Sequence, residues 1–131
     1  MEIDFINQLH TSTKRNYLSR VNDAEYPKHI AAKIAKKYDF EYWDGDRRIC
    51  YGGYKYIPGR WEPVARAFIK HYKLNNESSI LDIGCGKGFL LYEIKKLLPN
   101  AKVIGIDISQ YALDNCKPEI KPYLKRSSAS D

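Results

Sequence analysis

The feature that most constrains this chain is a short apolar run that leads directly into a glycine-dense turn. Residues 80–91 read Ile-Leu-Asp-Ile-Gly-Cys-Gly-Lys-Gly-Phe-Leu-Leu, with glycines at 84, 86 and 88. The β-branched and apolar residues before Gly84 predict a buried strand, and the apolar spacing after Gly88 predicts a helix. Strand, tight turn and helix in this order open a doubly wound α/β sheet. Because glycine has no side chain, a ligand can lie directly against such a turn.

A second apolar run ends in another acidic residue. Residues 102–107 are typical of a buried parallel strand, and Asp107 ends it 19 residues after Gly88. Ser109 is well placed to cap a helix over 110–116. A carboxylate at this end of a strand can accept hydrogen bonds from both hydroxyls of a ribose. A third strand is predicted around 123–127, so the fold class is α/β with about three parallel strands.

The two runs together resemble the paired motifs of class I S-adenosylmethionine-dependent methyltransferases. The resemblance covers about residues 78–128 and implies a Rossmann-like, three-layer fold with S-adenosylmethionine as its cofactor. An NAD-linked oxidoreductase is disfavoured, because Phe89 stands where the dinucleotide fingerprint needs its third glycine. The resemblance assigns the amino group of the cofactor to Asp82, its ribose to Asp107, its adenine ring to Ile108 and the adenine amino group to Ser128 or Asp131. The remaining cofactor-binding positions that it implies lie in the turn: Gly84, Cys85, Gly86 and Gly88.

An unusual aromatic segment precedes these motifs. Residues 38–61 hold eight aromatic residues and four of the eight glycines of the chain. Rings on a glycine-rich backbone suit a lid over a methyl donor, because aromatic faces attract a sulfonium cation. A satellite core under a long loop is the alternative. Tyr54 and Tyr56 are the catalytic candidates, and Tyr51 and Arg60 are further cofactor contacts. Four residues are weaker candidates for acceptor binding: Asp44, Asp46, Arg47 and Arg48.

The chain is expected to divide at residue 76. Helices are predicted over 3–21, 29–38 and 62–72, so residues 1–76 form an N-terminal helical and lid region. Residues 77–131 then form a partial cofactor-binding domain. The family fold has seven strands, and the sequence accounts for about three. We therefore expect a truncated chain, the cofactor-binding half of an enzyme, which is inactive alone and leaves one edge of its first strand unpaired.

The charge and a second resemblance bear on the methyl acceptor. The net charge is +6, and residues 1–76 carry an excess of five positive side chains, which favours an anionic partner. The aromatic segment also resembles bacterial methyltransferases of surface-polysaccharide decoration, including enzymes proposed for O-methyl phosphoramidate groups. The predicted acceptor is therefore a small molecule or a carbohydrate-linked group. Two alternatives stay open: a nucleic-acid methyltransferase and a non-catalytic cofactor-binding fragment.

The location is predicted from what the sequence lacks. No apolar run approaches the ~20 residues that span a bilayer, and the first residues lack the pattern of a signal peptide. The three cysteines lack the spacing of a zinc site or a disulfide framework. We therefore expect a cytoplasmic protein with reduced thiols, without a membrane span and without a bound metal.

Overall fold

The computed structural model describes residues 3–6, 21 and 23–130, which group into two compact units. One unit is Thr13–Lys55, and the other combines Met1–Ser12 with Tyr56–Asp131. The helix predicted over 3–21 falls mostly outside the described residues, and residues 3–6 are not helical. Residues 56–76 group with the sheet, although the sequence-based division assigned them to the N-terminal region. The domain boundary at residue 76 stays a prediction.

Among the described residues of the unit Thr13–Lys55, two helices have defined bounds, α1 (Lys28–Ala35) and α2 (Phe40–Trp43). Helix α1 follows Pro27 and ends earlier than predicted, because the backbone turns to a positive φ of 50° at Tyr38. Helix α2 was not predicted, and its single turn buries Trp43. A short helix therefore stands in a segment that was expected to be irregular.

The larger unit carries a three-stranded parallel sheet in the order β1-β2-β3. This arrangement confirms the predicted incomplete Rossmann-like α/β fold. All three predicted strands form, with bounds within two residues of those expected. The elements follow one another as α3 (Glu62–Tyr72), β1 (Ser79–Ile83), α4 (Phe89–Leu97), β2 (Lys102–Asp107), α5 (Gln110–Asp114), a 3₁₀ turn (Lys121–Tyr123) and β3 (Leu124–Arg126).

The core of this unit joins α3, α4 and β2. Its buried side chains are Ala65, Leu91, Ile94, Val103 and Ile120. Helix α3 starts with a proline in its first turn, as its sequence pattern predicts, and ends at Lys73, which takes a left-handed conformation without being a glycine. Because α4 is packed against β2, the turn that precedes α4 is fixed at the carboxyl ends of the strands.

The two faces of the sheet differ in burial. Val103 is 2% exposed, whereas Leu81, Ile83 and Ile104 are 58%, 57% and 53% exposed. Leu81 pairs with Ile104 across the strands, so these three side chains share one face. Within the described residues β1 pairs only with β2, and its other edge has no strand partner.

Candidate functional site

The acidic residues and the glycine turn meet at the carboxyl ends of β1 and β2. The backbone N–H groups of Gly84 and Cys85 both donate to the carbonyl oxygen of Ile106, at 2.8 and 3.0 Å. The N–H of Gly86 donates to Oδ2 of Asp107 at 2.8 Å. The turn therefore lies over the end of β2, where ligands bind in open α/β sheets.

The glycines of the turn have two different functions. Gly84, Gly86 and Gly88 have φ values of 77°, 58° and 73°, a region that glycine enters at little cost. A Cβ atom at Gly84 would meet no atom within 4 Å, so its backbone faces open space. A Cβ atom at Gly88 would lie 2.9 Å from Cδ1 of Leu124. Gly84 thus leaves room for a ligand, whereas Gly88 allows α4 to pack against β3.

Most N–H groups of the turn are already engaged within the protein. Besides the three described above, the N–H of Gly88 donates to the carbonyl oxygen of Cys85 at 3.0 Å. A phosphate cradle instead aims successive N–H groups at the ligand. The turn is therefore shaped for close contact with a ligand rather than for holding a phosphate.

Asp107 links the turn to the next helix and keeps acceptor capacity for a ligand. Its Oδ1 accepts a hydrogen bond from the N–H of Ser109 at 2.8 Å. The hydroxyl oxygen of Ser109 accepts from the N–H of Ala112 at 3.1 Å, which confirms the predicted N-cap of α5. A carboxylate offers about four acceptor positions, and the N–H groups of Gly86 and Ser109 fill two. The others suit a pair of ligand hydroxyls.

The site is electrostatically negative. Burial and the nearby negative charge of Asp107 raise the pKa of Asp82 above its ordinary value. Burial and the two carboxylates raise the pKa of the Cys85 thiol to about 12. Cys85 therefore stays a neutral thiol and is not a nucleophile. A cationic group on the ligand would relieve the repulsion between the two carboxylates.

The end of β3 reaches the same edge of the sheet. The N–H of Ser127 donates to the carbonyl oxygen of Asp107 at 3.0 Å. Ser128 is the next residue after Ser127 and therefore lies near the end of β2. The hydroxyls of Ser128 and Ser130 lie 2.9 Å apart. Ile108 follows Asp107 directly and is 48% exposed. Asp131, the alternative to Ser128, lies outside the described residues.

The aromatic candidates do not lie together in one unit. Tyr51 and Tyr54 belong to Thr13–Lys55, where the ring of Tyr51 stacks on that of Trp43 with centroids 5.4 Å apart. Tyr56 belongs to the unit that holds the sheet, and its hydroxyl donates to Oε1 of Glu93. Arg60 lies in that same unit and is exposed. The structure thus gathers the turn, both aspartates, Ile108 and Ser128, and assigns Tyr51 and Tyr54 to the other unit.

The charged residues near the aromatic segment have structural partners. Arg48 forms ion pairs with three carboxylates: Asp23 at 3.3 Å, Glu25 at 3.2 Å and Asp46 at 2.7 Å. Its guanidinium also lies 4.7 Å from the ring centroid of Tyr26. Arg47 donates to the backbone carbonyl of Cys50, and Asp44 accepts from the N–H of Tyr54. Each of the four weaker acceptor candidates therefore has a contact within Thr13–Lys55, and their role in acceptor binding stays a prediction.

Sequence reasoning missed two buried charged residues near the turn, Lys87 and Glu93. Lys87 is 4% exposed, and its ammonium lies 5.7 Å from the ring centroid of Tyr111. Glu93 is 2% exposed. Its position did contain a signal, because it lies three residues after Leu90 and four before Leu97, on the apolar stripe of α4. No comparable pattern marks Lys87, which stands between two glycines.

Metal-binding clusters and membrane-spanning helices are both absent from the described residues. No group of three or more histidine, cysteine, aspartate or glutamate side chains is arranged to hold a metal ion in the ranges 3–6, 21 and 23–130. Among the helices of these ranges, none has the length and apolar character needed to cross a membrane.

Comparison with known proteins identifies the segment that carries this site. Residues 74–124 match the family model of a methyltransferase domain. A ribosomal RNA large subunit methyltransferase G of Alteromonas mediterranea is 36% identical over 53 residues, which are 40% of this chain and 13% of that protein.

Two similar solved structures are also much longer than the part of them that this chain matches. The plantazolicin methyltransferase BpumL, in complex with SAH, is 29% identical with a TM-score of 0.41, over 83% of this chain and 36% of that one. The MccD protein is 31% identical with a TM-score of 0.42, over 50% of this chain and 30% of that one. The chain thus spans well under half the length of each of these proteins.

Proposed function

We propose that the chain binds S-adenosylmethionine for methyl transfer to a small-molecule or carbohydrate-linked acceptor, because residues 74–124 match the family model of a methyltransferase domain. The observation that carries the proposal is the pair of carboxylates beside an open glycine turn. S-adenosylmethionine carries an ammonium and a sulfonium, and both charges match a negative site.

Each part of the cofactor has a matching group in the chain. Asp82 would pair with the amino group, and the open acceptor positions of Asp107 would receive the two ribose hydroxyls. Ile108 would cover the adenine ring, and Ser128 would meet the adenine amino group. Gly84 would let the ligand approach the backbone, because no protein atom lies within 4 Å of the position that a Cβ atom would take there. The bound cofactor supplies the methyl group, and the chain orients it and excludes water.

The test uses two glycines that have similar positive φ angles. Gly84 and Gly59 have φ values of 77° and 81°, and neither has an atom within 4 Å of an added Cβ. Replacing either by alanine should cost the same backbone strain, about 1 to 2 kcal/mol. Only Gly84→Ala should also weaken the binding of S-adenosylhomocysteine, by more than tenfold in calorimetry. Equal affinities of the two variants would contradict the proposed site.

Arg60 and Tyr51 are proposed as further cofactor contacts, and Tyr54 as a catalytic candidate. In calorimetry, Arg60→Ala should weaken S-adenosylhomocysteine binding if the guanidinium meets the cofactor carboxylate. Arg66→Ala is the matched control and should leave the affinity unchanged, because Arg66 pairs with Glu62 on the same helix, α3. Unchanged affinity in Arg60→Ala, Tyr51→Phe and Tyr54→Phe would remove the lid hypothesis.

The acceptor is proposed from the aromatic surface of Thr13–Lys55 and from the net charge of +6. The ring of Tyr51 is 42% exposed and is backed by Trp43. An aromatic ring with a polar hydroxyl offers both an apolar face and a hydrogen bond to a sugar. A panel of neutral and anionic sugars, screened by isotope transfer from labelled cofactor, tests this class. Tyr51→Ala should reduce transfer to a sugar more than Tyr51→Phe does.

A nucleic acid is the second candidate acceptor. It is favoured by the similarity to the ribosomal RNA methyltransferase and by lysines beside aromatic rings, with Lys95 over Tyr123 at 5.0 Å and Lys96 over Tyr92 at 5.3 Å. Such pairs can contact phosphates and bases together. RNA binding that falls steeply between 50 and 200 mM salt would support this candidate. Absence of binding at low salt would remove it.

A non-catalytic cofactor-binding role is the third candidate. Its support is that β1 has a strand partner on one side only among the described residues. Cofactor binding without transfer to any acceptor of the panel would favour this role, and robust methylation by the chain would exclude it. We also propose a cytoplasmic location, where cysteines such as Cys85 and Cys116 stay reduced.

A further inference from the structure

A buried carboxylate, Glu93, lies one turn into α4 and is not among the residues of the proposed cofactor site. Glu93 is 2% exposed, and Oε1 accepts a hydrogen bond from the hydroxyl of Tyr56. The ammonium of Lys96 lies 3.7 Å from Oε2 of the same carboxylate. Because burying a carboxylate is costly without such partners, the hydroxyl of Tyr56 is a major partner of Glu93. Glu93 thus binds the segment that precedes α3 to helix α4.

The ring of Tyr56 extends this connection towards the glycine turn. It lies 5.6 Å from the ring of Phe89, the first residue of α4, and 5.3 Å from the ring of Tyr92. The ammonium of Lys117, beyond α5, lies 4.2 Å from the centroid of Tyr56 and 4.9 Å from that of Tyr92. Three separate parts of the chain therefore meet at Tyr56, and one of them is the residue that follows Gly88.

We infer that Tyr56 and Glu93 form a positioning pair that holds the first turn of α4, and with it the glycine turn, in its ligand-binding conformation. The inference rests on the proposed cofactor site and assigns to Tyr56 a different role from the catalytic one. The hydroxyl proton is already donated to Glu93, so Tyr56 is not poised to accept a proton from a methyl acceptor. The hydrogen bond to Glu93 and burial also raise the pKa of Tyr56, which keeps the phenol neutral.

The decisive variant is Tyr56→Phe, which keeps the ring and removes only the hydroxyl. Hydrogen exchange measured by mass spectrometry on the peptide that covers residues 84–89 reports the turn without any cofactor. We expect exchange there to accelerate about tenfold, because a hydrogen bond to a buried carboxylate is lost. Affinity for S-adenosylhomocysteine should fall about tenfold in parallel. Glu93→Gln keeps an acceptor oxygen for the hydroxyl, so both effects should stay below about threefold.

Two controls separate positioning from general destabilisation. Tyr92→Phe removes a hydroxyl from the neighbouring ring, and Ile104→Ala shortens a side chain on the exposed face of the sheet, opposite to α4. Neither variant should accelerate exchange at residues 84–89. The inference would be overturned if residues 84–89 exchange in Tyr56→Phe at the same rate as in the wild type. It would also be overturned if either control accelerates their exchange as much as Tyr56→Phe does. If the wild-type chain binds no S-adenosylhomocysteine, the proposed function fails, and the exchange measurement still decides whether the pair holds the turn.

Discussion

Replacing Asp107 by asparagine should damage both the fold of the site and its ligand binding. The carboxylate accepts two backbone hydrogen bonds, from Gly86 and from Ser109, each at 2.8 Å. One holds the glycine turn, and the other holds the start of α5. An asparagine side chain has one acceptor oxygen and one amide nitrogen, so it can satisfy only one of these two N–H groups.

The magnitude follows from the bonds that are lost. A hydrogen bond to a charged group contributes about 1.5 to 3 kcal/mol, and an N–H left facing another donor adds a desolvation penalty. We therefore expect Asp107→Asn to lower the free energy of unfolding by about 3 kcal/mol. For a domain of this size the loss corresponds to a fall in Tm of roughly 10 °C. S-adenosylhomocysteine affinity should drop by more than tenfold, because a ribose acceptor is removed as well.

The assay is thermal unfolding with and without S-adenosylhomocysteine, together with calorimetric titration. Asp114→Asn is the matched control, because Asp114 is exposed and accepts a hydrogen bond from the side chain of Gln110 on the same helix. It should change the free energy of unfolding by less than about 0.5 kcal/mol. If Asp107→Asn unfolds at the wild-type temperature and binds the ligand normally, Asp107 does not organise the turn.

Three further predictions concern charge, packing and the smaller unit. Because the pKa of Asp82 is raised in the folded chain, the unliganded fold should lose stability as pH rises through that raised pKa, and Asp82→Asn should flatten this dependence in urea titrations. Val103→Ala should cost about 2 kcal/mol of unfolding free energy, since Val103 is 2% exposed. Ile104→Ala should cost less than half as much at 53% exposure, and equal losses would refute the assigned faces of the sheet. Arg48→Ala removes three ion pairs and should lower the Tm more than Arg66→Ala, which removes one exposed pair.

The sequence predicted the sheet because its strands are continuous apolar runs with clear ends. Gly84 follows one such run and Asp107 ends the next, and the parallel arrangement brings both residues to one edge of the sheet. The helices were harder to bound, since a backbone reversal ends a helix without a strong signal. At Tyr38 the chain takes a positive φ without a glycine, so α1 ends earlier than its apolar pattern suggested. Helix α2 is a single turn, too short for helical periodicity to appear.

The residue types of the candidate site follow from local sequence where the backbone or the end of a strand calls for them, whereas their contacts with the cofactor stay predictions. Glycine at 84 and carboxylates at 82 and 107 are of this kind. Contacts that depend on tertiary packing were not predictable, because no local spacing records them. Gly105 is an example, since a Cβ atom there would lie 2.6 Å from Leu124, which is 19 residues later in the chain. The ion pairs of Arg48 with three carboxylates are a second example, because the sequence suggested this residue only as a weaker candidate for acceptor binding.

The negative site and the raised pKa of Asp82 together make ligand binding a proton-linked event. In the empty chain, burial and the charge of Asp107 favour the protonated form of Asp82. An ammonium group beside Asp82 favours the ionised form instead and lowers the pKa of Asp82. Binding therefore releases a proton at any pH that lies between the pKa of Asp82 in the bound chain and its pKa in the empty chain. Affinity should therefore rise with pH across the same window in which the empty fold loses stability. The same electrostatic repulsion that destabilises the unliganded site thus selects a cationic ligand.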